Sequence, residues 1–292
     1  MDTTSKENYQ QSVKIPKPIV IFAKILQFIS TALASKFASK LFATPIKHSI
    51  PKREFHMDAD SKQEEITIPS IDKKVIVYSY GRSKKKILLV HGWSGRGTQL
   101  VKIADKFLEM EYNTVSFDAP AHGKAPGKVS NMSEFIEAVM EIEKKYGPFE
   151  AAVGHSLGGM TLLNAVKNGL DIKSMVIIGS GDIVTDIVFD FTEKLELKKE
   201  VGLHMKNVFD VKIGRDIDEF SASVSAKEVD IPVLVIHDKN DMDVPISSAH
   251  NIHNNLKNSK LLVTEGFGHR KILGNNEVIE QLSRFIEKYT LK

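Results

Sequence analysis

Short apolar runs alternate with longer segments of helical periodicity from about residue 64 to the end of the chain. Runs of four to eight residues rich in Val, Ile and Leu are typical of buried strands. Such runs predict eight strands, at residues 64–68, 74–80, 85–90, 113–117, 151–154, 174–178, 232–236 and 260–264. Because near-continuous apolar strands alternate with helices, the pattern predicts an α/β fold with a mostly parallel sheet covered on both faces.

Apolar residues recur every three or four positions in four segments, which predicts helices at residues 98–110, 132–147, 159–169 and 276–290. The interval from Gly179 to Asp230 lies between two predicted strands and is too long for an ordinary crossover. Residues 193–209 within it are helical in pattern. The sequence therefore predicts one domain over residues 64–292, with a helical cap inserted at about residues 180–230.

The N-terminal region differs from the rest of the chain. Residues 1–14 are polar and are expected to form a mobile tail, and residues 15–63 are expected to hold an amphipathic helix and a linker. The helix is predicted to run to about Leu41, with one apolar stripe of Phe22, Leu26, Ile29, Leu33 and Phe37.

Three roles are considered for that helix: it packs on the domain, lies on a membrane surface, or acts as a signal or anchor. Residues 32–34 resemble a signal-peptidase site, but Lys24 interrupts the apolar run that such a signal needs. The polar face carries serines, a threonine and a glutamine beside three lysines, which is weakly basic for a membrane-surface helix. Packing on the domain is therefore the favoured prediction, and membrane contact is the less favoured alternative.

The composition narrows the choice of partners and compartment. The 40 basic and 37 acidic residues give a formal net charge of +3. The charge is too evenly balanced to indicate a nucleic-acid partner. The absence of cysteine excludes disulfides, thiolate metal sites and a cysteine nucleophile. It also favours a cytoplasmic location without deciding it.

A candidate nucleophile lies in the sequence GHSLGG at residues 154–159, between a predicted strand and a predicted helix. In the pattern Gly-x-Ser-x-Gly, the serine occupies a sharp turn between the two elements, and the glycines prevent collisions there. The first N–H groups of the helix and its dipole favour negative charge beside Ser156. We therefore predict that Ser156 is a nucleophile.

A serine nucleophile needs a base and an orienting carboxylate. His269 follows the last predicted strand in a glycine-bounded loop, where its ring can reach the carboxyl ends of the strands. His91, His122 and His155 adjoin glycine turns and are expected to hold loops by hydrogen bonds. The loop at residues 237–245 supplies several aspartates after the preceding strand.

Over residues 64–290 the sequence resembles the α/β-hydrolase superfamily. The matching motifs, in the order of that superfamily, are HGW at 91–93, DAPAHG at 118–123, GHSLGG at 154–159, DKNDMDVP at 238–245 and GFGHR at 266–270. The resemblance implies an α/β-hydrolase fold, with Ser156 as nucleophile, His269 as base and Asp241, four residues before Pro245, as the acid. Three further aspartates are alternatives for the acid: Asp238, Asp243 and, more remotely, Asp182.

The resemblance also implies an oxyanion hole made by the backbone N–H groups of Trp93 and Leu157. It implies cleavage of a small-molecule carboxylic ester or thioester through an acyl-enzyme, with no metal or organic cofactor. Amidase, peptidase and acyltransferase chemistry on the same residues are alternatives, and a non-catalytic binding protein is a weaker one. The serine at the turn disfavours the dehalogenase and epoxide-hydrolase branches, which have aspartate there.

Overall fold

A single eight-stranded sheet forms the centre of the computed structural model, which describes residues 15–290; the tail predicted at residues 1–14 lies outside them. All eight predicted strands are confirmed, with ends within two residues of the prediction. The strands are β1 Lys62–Ile68, β2 Lys73–Tyr80, β3 Lys86–Val90, β4 Asn113–Asp118, β5 Ala151–His155, β6 Ser174–Ile178, β7 Val233–Asp238 and β8 Ser259–Thr264.

The strands are arranged in the order β1-β2-β4-β3-β5-β6-β7-β8. Strand β2 pairs antiparallel with β1 and β4, and every other neighbouring pair is parallel. This arrangement confirms the predicted α/β-hydrolase fold. The carboxyl ends of β5 and β7, where His155 and Asp238 lie, therefore meet at one edge of the sheet.

Twelve α-helices surround the sheet within residues 15–290. They are α1 Lys17–Ile29, α2 Thr31–Phe42, α3 Phe55–Asp60, α4 Val101–Glu109, α5 Met132–Tyr146, α6 Leu157–Lys167, α7 Val184–Lys194, α8 Lys199–Ile213, α9 Ala222–Ala226, α10 Ile246–Asn255, α11 Gly268–Lys271 and α12 Asn276–Thr290. The four helices predicted in the domain are confirmed as α4, α5, α6 and α12. Helix α10 escaped prediction because it buries only Ala249 and Ile252, and apart from Ile246 its other residues are polar.

Apolar clusters cover both faces of the sheet. Neighbouring residues of β3 point to opposite faces, so that Leu88 belongs to one cluster with Phe135 of α5, and Leu89 to the other with Phe107 of α4. All four side chains are at most 1% exposed. The sheet is thus a rigid support for the loops at its carboxyl edge.

The segment between β6 and β7 forms a cap of α7, α8, a short 3-10 turn at Ile217–Phe220 and α9. The helical pattern at residues 193–209 is interrupted, because α7 ends at Lys194 and α8 begins at Lys199. A third apolar cluster joins the cap to the N-terminal helices: Val188, Val201 and Met205 pack with Ala23 of α1 and Ala38 of α2. The N-terminal helices therefore lie on the cap.

The prediction of one continuous N-terminal helix is wrong, since two helices meet at Ser30, which is extended at φ −163° and ψ 132°. The break also changes which side chains are covered. Of the predicted stripe, Leu26 and Phe37 pack against the cap cluster beside buried alanines. Phe22, Ile29 and Leu33 are instead 49%, 65% and 46% exposed. Among residues 15–290, no helix has the length and apolar run that crossing a bilayer requires.

A buried ion pair fastens the following segment to the loop after β3. The Glu54 carboxylate is fully buried and accepts hydrogen bonds from Arg96 Nε at 2.6 Å and from the Thr98 hydroxyl at 2.7 Å. The Ser94 hydroxyl accepts a further bond from the Ile46 N–H at 2.9 Å. Residues far apart in the sequence thus hold the 91–98 loop, which contains Trp93, in one position.

Candidate active site

Ser156 occupies the turn between β5 and α6, as the sequence predicts. Its backbone lies at φ 54° and ψ −120°, a conformation that costs a residue with a side chain about 1–3 kcal/mol. The Ser156 N–H donates to the Ile178 carbonyl of β6 at 2.9 Å. Because the neighbouring strand and helix hold this strained turn, the Ser156 side chain lies in the cavity above the sheet.

Glycine at two positions lets other backbone segments approach this turn. A Cβ on Gly158 would overlap the Val90 carbonyl oxygen of β3, and a Cβ on Gly92 would lie 2.9 Å from the Ser156 Cβ. The absence of both side chains brings the first turn of α6 against β3 and brings the 91–98 loop beside Ser156.

We expect Gly158→Ala to lower the free energy of unfolding by several kcal/mol, because its methyl group meets backbone rather than a movable side chain. Gly274→Ala is the matched control, since a Cβ there has no atom within 4 Å. Urea unfolding of the two variants measures the difference. Equal stability of the two would contradict the close packing of α6 on β3.

His269 and Asp241 form the closest ion-pair contact of the site. His269 Nδ1 lies 2.7 Å from Asp241 Oδ2, and the other carboxylate oxygen accepts from the N–H groups of Asp243 at 2.8 Å and Val244 at 2.9 Å. Burial acts to raise the pKa of Asp241, but the bond from His269 and these backbone donors outweigh it and lower that pKa below its usual value. An ionised Asp241 therefore holds the proton on His269 Nδ1.

Because Nδ1 carries the proton, a neutral His269 has its free lone pair on Nε2. His269 and Ser156 line the same cavity. Within residues 15–290, no hydrogen bond joins the Ser156 hydroxyl to the His269 ring. The structure thus brings the predicted nucleophile and base to one cavity and fixes the base through Asp241.

The other candidate aspartates hold different contacts. Asp238 accepts hydrogen bonds from the N–H groups of Asn240, Phe267 and Gly268 and from the Thr264 hydroxyl. Burial acts to raise the pKa of Asp238, and these four donors outweigh it and lower that pKa. Asp238 therefore joins the loop after β7 to the first residues of α11, a role that the sequence did not indicate. The short helix α11 carries His269, which corrects the prediction of a loop at that position.

Asp182 and Asp243 complete the set of predicted alternatives. Asp182 accepts from the Ser223 N–H at 2.8 Å and from Asn251 Nδ2 at 2.5 Å, so it connects the two ends of the cap. Asp243 lines the cavity, and its backbone N–H donates to Asp241. Of the four aspartates, Asp241 is the one whose carboxylate accepts the hydrogen bond from His269 Nδ1.

Buried histidines hold the surrounding loops, which confirms the prediction for His91, His122 and His155. His155 Nε2 donates to the His269 carbonyl at 2.9 Å, and His122 Nδ1 donates to the Pro120 carbonyl at 2.9 Å. His91 Nδ1 donates to the Gly92 carbonyl while its Nε2 accepts from the Ala119 N–H. Burial, the main cause, lowers the pKa of His122 to about 4 and that of His155 to about 3.

These histidines predict a steep loss of stability in mild acid. Below the ordinary histidine pKa of about 6.5, the unfolded chain binds protons that the folded chain does not, so stability falls with pH toward the folded pKa values. Between pH 6.5 and 5, His122 and His155 together should cost about 3 kcal/mol of unfolding free energy. Urea unfolding at several pH values measures this slope.

His122→Gln should make the slope shallower, because glutamine has no proton to gain in this range. His250→Gln is the control, since His250 is exposed on α10. An unchanged slope in His122→Gln would contradict burial of a neutral His122.

Two backbone N–H groups beside Ser156 are available for an anion. Leu157 is the first residue of α6, so its N–H has no partner within the helix. In the described part of the chain, neither the Leu157 N–H nor the Trp93 N–H donates to a protein atom. The Trp93 ring lies edge-on to His122, with centroids 4.9 Å apart, and lines the cavity.

A cavity of about 1860 Å³ lies above Ser156 and His269. Its apolar walls come from the cap and from the N-terminal helices, and include Ile19, Phe42, Ile187, Phe191 and Phe209. The N-terminal helices are therefore part of the site. Sequence reasoning missed this because the residues lie more than 100 positions before Ser156.

One group of side chains has metal-ligand geometry among residues 15–290. The oxygens of Asp241 and Asp243 and a His269 nitrogen lie within 4.8 Å of one another. The two Asp241 oxygens already accept bonds from His269 and from the backbone. A cation there would have to compete with the contact that orients His269.

The sequence matches two protein-family profiles. A family profile described as Alpha/beta hydrolase family matches residues 87–238, which is more than half of the chain, and one described as TAP-like protein matches residues 216–292. No curated protein matches the sequence closely enough to serve as a relative.

Several solved structures share the fold. The esterase Pf2001 from Pyrococcus furiosus is 18% identical and aligns over 85% of this chain and 97% of that chain, with a TM-score of 0.63. The esterase EaEST from Exiguobacterium antarcticum is 16% identical over 74% and 97%, with a TM-score of 0.59. A bacterial membrane phospholipase A is 16% identical over 93% and 96%, with a TM-score of 0.62. At these identities the likeness concerns the fold.

Proposed function

The chain belongs to the alpha/beta hydrolase family, and on that premise we propose that it is a serine hydrolase that cleaves a carboxylic ester or thioester. The observation that carries the proposal is the strained turn that presents Ser156 to the same cavity as a His269 ring fixed on Asp241. In this proposal Ser156 is the nucleophile, His269 the general base and Asp241 the acid.

In the first half of the reaction, His269 Nε2 takes the Ser156 proton as the serine oxygen attacks the substrate carbonyl carbon. The negative charge that develops on the carbonyl oxygen is stabilised by the N–H groups of Trp93 and Leu157. Loss of one such donor typically costs about 3 kcal/mol of transition-state stabilisation. Asp241 stabilises the imidazolium that forms, which then protonates the leaving group.

In the second half, His269 takes a proton from water, and the resulting hydroxide attacks the acyl-enzyme carbonyl. The bond to Ser156 breaks, the serine oxygen regains a proton from His269, and the acid product leaves. Every step uses side chains and backbone groups of this chain.

The apolar walls of the cavity favour a substrate with an extended acyl group. Phe191 and Phe209 of the cap contribute to these walls. Met205 of the cap does not line the cavity and is buried in the cluster between the cap and the N-terminal helices. The esterases among the structural neighbours support an ester as the electrophile. An acyl group in the cavity would place its carbonyl carbon beside Ser156.

A series of p-nitrophenyl esters of increasing chain length, run beside a fluorophosphonate label, tests the proposal. We expect covalent labelling and turnover of the esters. Labelling without ester turnover would instead favour transfer of the acyl group to another acceptor or cleavage of an amide. Absence of labelling in the folded protein would favour a binding protein without hydrolytic activity.

A further inference from the structure

Six large apolar side chains lie exposed on one side of α1 and on the first turn of α2. Their exposed fractions range from 46% to 93%, and we call this set the outer apolar face: Ile21, Phe22, Ile25, Phe28, Ile29 and Leu33. Because successive helical residues turn by 100°, the five on α1 fall within about a third of the helix circumference. They therefore form one continuous strip rather than scattered exposed residues.

The opposite side of α1 is the one that covers the protein. Ala23 is fully buried against the cap, and Ile19 and Leu26 pack beside it. The covered side of α1 thus carries Ala23 with Ile19 and Leu26, and five further large apolar side chains face outward. A helix that only covered the cap would have polar side chains on its outer side. A large exposed apolar strip of this kind indicates a binding surface.

The N-terminal segment that carries the outer apolar face has charges of one sign. Residues 15–53 contain seven lysines and arginines and no aspartate or glutamate. Lys17, Lys24, Lys36 and Lys40 are exposed, and the first two lie on α1 along one edge of the strip. Lys24 also pairs with Glu196 of the cap at 2.7 Å. An apolar strip with basic side chains at its margin complements an anionic lipid surface.

Other occupants fit this face less well. Residues 1–14 offer only Met1, Tyr9 and Val13 as large apolar side chains, too few to cover six. A second copy of the chain in a two-fold contact would place the same basic margin against itself, which opposes association. The charge and the apolar area together therefore favour a lipid surface.

We propose that the outer apolar face docks on the surface of an anionic lipid bilayer, with α1 lying in the plane of the interface. At 13 residues α1 is too short to span a bilayer. Ile19 of the same helix lines the cavity above Ser156. If the proposed hydrolase activity holds, docking brings the cavity to the lipid surface, and an acyl lipid ester can enter it from the bilayer.

Binding of the full chain to sedimenting vesicles tests the docking itself. The Ser156→Ala background prevents hydrolysis of the lipid, and the vesicles contain equal parts of phosphatidylglycerol and phosphatidylcholine. We expect Phe28→Ser to weaken binding at least tenfold, because Phe28 is the most exposed side chain of the strip. Phe55→Ser is the matched control, since Phe55 is 54% exposed on α3, which packs against β2.

The control should bind like the background protein, and binding should weaken as salt rises. Absence of binding, equal loss in Phe28→Ser and Phe55→Ser, or equal binding to pure phosphatidylcholine would each overturn the proposal. So would a stable dimer that Phe28→Ser converts to a monomer, because a second copy would then cover the strip. Vesicle binding requires no catalysis, so it can fail or succeed independently of fluorophosphonate labelling.

Discussion

Ser156→Ala is expected to abolish fluorophosphonate labelling and to lower kcat on p-nitrophenyl esters by a factor on the order of 10³ or more. The reason is that the serine oxygen is the atom that forms the acyl bond in the proposed reaction. The alanine variant keeps the Cβ, so it keeps the same backbone strain at φ 54° and should unfold at a similar temperature. Gel fluorescence and steady-state kinetics measure the two activities.

Ser248→Ala provides a matched control for the loss of labelling. Ser248 also lines the cavity, but it lies on α10 and is not at the turn after β5. This variant should label and turn over like the original protein. Undiminished labelling of a folded Ser156→Ala protein would exclude Ser156 as the nucleophile.

Asp241→Asn is expected to lower the rate of acylation by a factor on the order of 10³ to 10⁴. An asparagine amide can place an N–H against His269 Nδ1, which favours the ring tautomer whose Nε2 already carries a proton and cannot act as base. Without a negative charge, the residue also fails to stabilise the imidazolium. Its remaining oxygen can still accept from Asp243 and Val244, so the fold should persist.

Asparagine variants of the other two aspartates in that loop distinguish a loss of His269 orientation from a general loss of stability. Asp238→Asn should chiefly lower the free energy of unfolding, because the amide would face some of the four donors that Asp238 now accepts. Asp243→Asn should have a much smaller effect on acylation. Single-turnover kinetics beside urea unfolding distinguishes the variants, and a crippling Asp243→Asn with an active Asp241→Asn would contradict the assignment of the acid.

The sheet was predictable because its information is local. Most strands are short apolar runs, and β3 has side chains that are buried on both faces. The motifs at residues 154–159 and 266–270 were equally local, so Ser156 and His269 could be proposed from residue order alone. The polar helix α10 was not predictable in this way, since few of its side chains reach the core.

The parts of the site that the sequence did not predict depend on contacts between residues that are distant in the chain. His155 fixes the His269 carbonyl across 114 positions, and Glu54 holds Arg96 across 42. Neither partner can be inferred from spacing, because each contact exists only after the sheet is assembled. The same holds for the cavity wall, to which the N-terminal helices contribute.

By itself the sequence determined the strands, four of the domain's helices and a short set of candidate catalytic residues, because apolar periodicity and turn chemistry act over a few residues. The tertiary structure decided which aspartate contacts His269 and which side of α1 is covered. An amphipathic stripe identifies two faces of a helix, but only the packed neighbour decides which face it buries. Here the cap accepts the small Ala23 and leaves Phe28 exposed at the surface.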